Sequence, residues 1–169
     1  MLFRSGDTAR ASSGISGGFA RAYARLTGYL PLGDRWYSQA RVEVGQVAAP
    51  GGLEVPESLR FRAGGDDSVR GYSYRTLGPT VDGVVGSGNA LMTASVELAR
   101  PFVDSIPSLW GAVFVDAGNA TENFKDYKAF VGSGVGLRWR SPVGPLRLDL
   151  AWAHQLRHAR LHFSVGIVF

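Results

Sequence analysis

From Phe19 to its end the chain alternates with period two, and no other feature restricts its fold as strongly. In FARAYARLTGYL (19–30) the odd positions carry Phe19, Arg21, Tyr23, Arg25, Thr27 and Tyr29, while the even ones are small or apolar. WYSQARVEVGQV (36–47) sets Tyr37, Gln39, Arg41 and Glu43 against Trp36, Ala40, Val42 and Val44. Alternation of this kind gives β-strands with one polar and one apolar face. It continues through residues 90–102, 109–120, 130–140, 146–154 and 161–169. The expectation is an all-β antiparallel meander of about seven strands. No apolar run is long enough for a transmembrane helix.

The connections also fall into two sets. PLGD (31–34), the turn near Pro107 and SPVGP (141–145) are short, whereas the others are longer and polar. Transmembrane β-barrels have that asymmetry, with strands alternating apolar-out and polar-in. A soluble sandwich would show the same alternation. Two details favour the barrel. Arginines recur on the polar faces with carboxylates available to pair, and Trp36, Phe102, Trp110, Trp139 and Phe169 stand mostly near strand ends, where a lipid interface would hold aromatic rings. With 45% hydrophobic and 19% charged residues the chain is not disordered. The net charge of +4 is scattered rather than blocked, which leaves nucleic acid without support as a partner. The absence of cysteine excludes disulfides and thiolate metal sites. The start, MLFRSGDTARASSG, lacks the apolar segment of a secretory signal, so residence outside the cytoplasm would imply a processed or truncated piece.

Residues 48–89 break the alternation, and a loop this long is usually functional or disordered. At its centre lies GGDDSVRGYSY (64–74). This segment within LRFRAGGDDSVRGYSYRTLGP (59–79), then WGAVFVDAGNA (110–120), GSGVGLRWRSPVGPLRLDLA (132–151) and a final strand ending in Phe, in that order, resembles the TamA proteins of the BamA/TamA superfamily. The similarity runs from about Trp36 to the C-terminus.

That resemblance implies the C-terminal part of a 16-stranded transmembrane β-barrel in the outer membrane of a Gram-negative bacterium. Residues 19–169 would belong to the barrel, 1–18 would be a loop remnant or linker, and 48–89 would fold into the lumen. Neither POTRA domains nor the strand that forms the family's lateral gate with the last one is represented. The implied function is assistance in inserting autotransporters and other outer-membrane barrels. Outer-membrane lipid, a TamB-like periplasmic partner and unfolded outer-membrane protein clients are the implied partners. Neither enzymatic chemistry nor a cofactor is implied. A two-partner-secretion translocator is the alternative within the superfamily.

The residues carried over are the lumen-loop motif Val69, Arg70, Gly71 and Tyr72, and the wall residue Asp116 that the arginine would meet. Gly64, Gly65, Asp66, Gly118 and Glu97 would support them, and Phe163 and Phe169 would form a C-terminal assembly signal. Period two puts Asp116 on a face with Trp110, Ala112 and Phe114, so an inward carboxylate is consistent with the pattern. A charge-assisted pair could pin the loop, with Gly71 permitting close backbone approach. Asp66 and Asp67, beside two glycines, serve equally well as turn formers. Arg41, Glu43, Glu97, Arg138, Arg140, Arg147 and Asp149 are expected as paired lumen charges.

Other patterns point elsewhere. VFVDAGNA is similar to the Asp-Thr/Ser-Gly of aspartic proteases, but Ala117 replaces the hydroxyl residue and only a homodimer would supply a second carboxylate. His154, His158 and His162 would align on a helix as metal ligands. Across a hairpin they are expected as exposed loop residues. GSGNA (86–90) and GSGVG (132–136) precede strands and lack the phosphate-loop lysine, so close packing in a curved sheet is the better account.

Overall fold

The computed structural model describes residues 8–16, 18–50, 54–141 and 144–166. Its strands are β1 (Thr8–Ser16), β2 (Phe19–Leu32), β3 (Trp36–Ala48), β4 (Thr80–Val81), β5 (Val84–Val85), β6 (Ala90–Pro101), β7 (Leu109–Thr121), β8 (Phe130–Ser141), β9 (Gly144–Ala153) and β10 (His158–Val165). Eight of them form one sheet in the order β1-β2-β3-β6-β7-β8-β9-β10, every neighbouring pair antiparallel. β4 and β5 form a minute hairpin inside the long loop. The meander is therefore as expected, with one strand more. β1 lies within the stretch 1–18 expected as a linker. Its sequence, TARASSGIS, is built of small residues with weak strand preference. Pairing with β2 from Thr8↔Thr27 to Ser16↔Phe19 supplies what propensity does not.

The two faces of the sheet differ in chemistry. On the outer face Val42, Val44, Val96, Val113, Val115, Val135, Leu150, Leu161 and Phe163 stand exposed with nothing packed over them. A water-soluble sandwich would cover such a face with a second sheet, because a bare apolar patch of this extent is unfavourable in water. Lipid requires no cover. Trp36, Phe102 and Trp139 are also exposed toward the strand ends. Trp110 differs from them. It is buried on the inner side, where its indole N–H donates to the Pro107 carbonyl at 3.0 Å.

The core lies between the inner face and the long loop, which crosses it. Val69, Tyr72, Phe61, Ala63 and Leu77 of the loop pack on Val47, Leu91, Ala120 and Ala153 of the wall. The loop ladders onto itself through Ala63↔Leu77 and onto its own exit through Phe61↔Gly88. Its backbone polar groups are thereby paired in a place where water is scarce.

Candidate functional site

Three neighbouring rows of the sheet, read across the strands, set up the site. Ser95 on β6 faces Asp116 on β7, which faces Gly132 on β8. In the next row Glu97 pairs with Phe114 and Phe114 with Gly134. One row further Gly136 pairs with Asp149 on β9, and Asp149 with His162 on β10. The inner side of β8 is thus bare at three successive inward positions, and side chains from the loop and from adjacent strands fill the space. A Cβ on Gly132 would collide with the Arg70 carbonyl, and one on Gly136 with the Asp149 carboxylate. The expected close-packing function of GSGVG is accordingly visible at atomic level.

Arg70 lies over this stripe. Its backbone N–H donates to Asp116 Oδ2 at 3.0 Å, Nε to the same oxygen at 2.7 Å, and Nη2 to Oδ1 at 2.9 Å. Nη1 bridges Glu97 Oε2 at 2.8 Å and Asp149 Oδ2 at 3.1 Å. Beneath the guanidinium lies the Phe114 ring, whose centroid is 3.4 Å from Arg70 Cζ. Ser95 Oγ donates to Asp116 Oδ1 at 2.6 Å. Arg138 closes the network, giving Nε and Nη2 to Glu97 at 2.9 and 2.7 Å and Nη1 to Asp149 at 2.5 Å. Two arginines thus face three carboxylates, all buried or nearly so. Burial works against the Arg70 charge, but Asp116 and then Glu97 outweigh it and raise its pKa above the ordinary arginine value. A planar fork with five donors satisfies this geometry, and an ammonium would not.

The residues flanking Arg70 complete the docking. Val69 is fully buried in the core. Gly71 has φ +95°, and a Cβ there would stand 3.0 Å from Ala153 N and 3.2 Å from its Cα, against the backbone of β9. The Tyr72 hydroxyl donates to the Val131 carbonyl at 3.1 Å and bonds the Gln155 side-chain oxygen, while its ring meets Phe130 edge-on. Burial pushes the Tyr72 phenol pKa up. On the other side Arg41 Nη2 donates to the Ser68 carbonyl at 3.0 Å, and Glu43 lies 3.3 Å from Arg25 and 3.7 Å from Arg41. Gly64 and Gly65 belong to the turn that carries Asp66 to His162, and Gly118 sits opposite Thr93 on β6.

His162 was expected as an exposed loop residue, and the structure corrects this. It is buried on the inner side of β10, accepts the Gly71 N–H at Nε2 (2.9 Å), and bonds Asp66 through Nδ1. The error came from the turn. Residues 154–157 make it, so β10 starts at His158 and the even positions point inward. His154 alone of the three is in the turn, and among the described residues no cluster could hold a metal ion. Phe163 is exposed on the outer face, and Phe169 lies outside the described residues. The protease alternative finds no support, because the Asp116 carboxylate is committed to Arg70 and Ser95 rather than to a proton shared with another acid. Sequence reasoning missed Ser95, Phe114 and Gln155 as partners of the loop. For Ser95 and Phe114 the signal was their inward parity beside Glu97 and Asp116, but for Gln155 none existed.

A bare apolar outer face, a charged inner face and an inward loop fastened by a buried arginine define a segment of outer-membrane-type β-barrel wall. Residues 8–169 match the Omp85 superfamily domain, and the chain belongs to that superfamily of outer-membrane proteins. It is 28% identical over 163 residues to the outer membrane protein assembly factor BamA of Nitratidesulfovibrio vulgaris, covering 89% of this chain and 20% of that protein. The chloroplastic outer envelope protein 80 of Arabidopsis thaliana is 36% identical over 120 residues, or 63% of this chain and 14% of the relative. Outer envelope protein 39 of the same plant is 30% identical over 164 residues, covering 92% and 37%. The crystal structure of BamA from Haemophilus ducreyi lacking POTRA domains 1–3 superposes with a TM-score of 0.80 at 26% identity, over 98% of this chain and 39% of that one. The chain therefore spans well under half the length of these relatives.

Proposed function

We propose that this chain is the loop-bearing C-terminal part of a barrel that assists the insertion of other outer-membrane proteins. The observation that carries the proposal is the Arg70 network. One loop residue holds β6, β7 and β9 together through Glu97, Asp116 and Asp149, making the loop an internal strut. A clamp of this kind stiffens the wall of any barrel that holds it. A barrel that opens at a seam needs the remaining wall kept rigid while the last strand moves. Where the seam beside β10, the last strand of the described sheet, opens, its backbone N–H and C=O groups would serve as a template for a client strand, as exposed sheet edges do. The name of the bacterial relatives, outer membrane protein assembly factor, supports the same class.

Within that class the four ordered sequence blocks favour a TamA-like protein with a TamB-like periplasmic partner and autotransporter clients. Residues 48–89 would be its lumen loop and 19–169 its barrel segment, with Phe163 and Phe169 in the assembly signal. The test is complementation by the full-length protein in cells lacking TamA and in cells depleted of BamA. Rescue of autotransporter insertion in the first alone supports the TamA-like reading. Rescue of BamA depletion assigns the general assembly role instead. Full rescue by an Arg70→Ala variant whose loop is undocked would defeat the strut.

A further inference from the structure

The Arg70 network does not touch β10, the strand at the edge of the sheet. The loop reaches that strand through His162. We propose that His162 is a second positioning residue, which with Asp66 ties the loop to β10 and holds it only while the imidazole is neutral. The functional reach of this latch rests on the assembly reading above, but the latch itself rests on geometry.

The Gly71 amide is a donor, so the ring nitrogen facing it at 2.9 Å must present a lone pair. Nε2 is therefore unprotonated, and the single proton of the neutral ring is on Nδ1, where it is donated to the Asp66 carboxylate. Each contact selects the same tautomer. Adding a proton places N–H against N–H at Nε2. The cationic ring keeps Asp66 and loses Gly71, whose amide is left buried without an acceptor. Either the loop lifts from β10 or β10 moves from the loop. Arg70 still secures the other three strands, so uncoupling is confined to the edge strand. Protonation at this one ring atom is therefore what the contact responds to.

The charges around the ring are mixed. From the loop come Asp66, Asp67, Arg62 and Arg75, and from β10 itself Arg160, two residues before His162 on the same face. Across the cavity Arg25 on β2 is paired with Glu43 on β3, and Arg21 on β2 donates to the Leu59 carbonyl. Opposite on β9, Asp149 is already engaged by Arg70 and Arg138. Asp66 is thus the acid that contacts the imidazole, and the Gly71 N–H sets its opposite side.

The experiment uses the full-length protein in lipid nanodiscs, with 15N-labelled histidine and amide hydrogen exchange followed from pH 8 to pH 5. The proposal expects a neutral His162 protonated at Nδ1. It expects the Gly71 amide, after correction for intrinsic pH dependence, to exchange about tenfold faster once the ring is protonated, as loss of one buried hydrogen bond implies. His162→Gln, whose side-chain oxygen can accept from Gly71 without titrating, should keep the amide protected at every pH. Asp66→Ala should remove the acceptor at Nδ1 and weaken the Nδ1-protonated preference that the Gly71 amide still imposes, while leaving the Arg70 amide protected. A ring protonated at Nε2, or Gly71 protection that ignores the His162 titration, overturns the proposal. Client insertion is measured separately. A pH-dependent Gly71 amide with unaltered insertion keeps the latch and discards only its link to assembly.

Discussion

Replacing Arg70 and Asp116 singly and together should give unequal and non-additive losses. With Arg70→Ala, Asp116 loses the guanidinium and keeps the Ser95 hydroxyl and the backbone N–H of residue 70, two neutral donors for a charge in a site with no exposure, while Glu97 and Asp149 retain Arg138. Breaking a buried pair by removing one partner costs about 3–5 kcal/mol. Asp116→Ala is milder, because Arg70 still reaches Glu97 and Asp149. Loss of hydrogen bonds to a charged group there amounts to about 1.5–3 kcal/mol. The double variant removes the stranded carboxylate along with the arginine and should cost no more than Arg70→Ala alone. The resulting coupling is about 1.5–3 kcal/mol, within the range for residues in one network. Loop docking in the full-length protein is read by hydrogen exchange of the amides around Arg70, with protease cleavage of the loop in intact cells as a second probe. Losses that add to within about 0.5 kcal/mol, the tolerance for independent sites, would show that the two residues do not work as a unit. Equal losses from the two single changes would refute the asymmetry derived from Glu97 and Asp149.

Gly71→Val should undock the loop with every charge intact, since φ +95° and the β9 backbone at 3.0 Å both exclude a branched side chain; loop proteolysis at unchanged barrel content checks it. Tyr72→Phe removes the hydroxyl bonds to Val131 and Gln155 but keeps the ring on Phe130, so docking should weaken by about 1 kcal/mol and survive, as hydrogen exchange would report. In water without detergent this 169-residue chain should aggregate or oligomerise through its bare valine and leucine face and its two free edges. A monodisperse, detergent-free monomer with a sharp melting transition would oppose the barrel assignment. In the full-length protein, deleting Phe169 should lower outer-membrane levels far more than Val168→Ala, and equal effects would remove the recognition role.

The sequence by itself determined seven of the eight strands of the main sheet and their faces. Period-two patterning in FARAYARLTGYL and WYSQARVEVGQV sets one face polar and one apolar irrespective of what lies beyond, because successive side chains leave a strand on opposite sides. The same parity turned Asp116 and Glu97 inward, and the ordered blocks carried the family. β1 stayed hidden because small residues carry little strand signal, and its pairing with β2 is a non-local event. Only the tertiary structure decided which inward residues meet. Arg70 lies 46 positions from Asp116 and 79 from Asp149, and no local pattern links them. His162 became a loop partner through a four-residue turn that shifted the start of β10, and through Gly71, whose left-handed backbone aims an N–H at the ring. Such contacts depend on register across several strands, where a shift of one residue turns every side chain to the other face, so they are fixed only when the sheet has assembled around the loop.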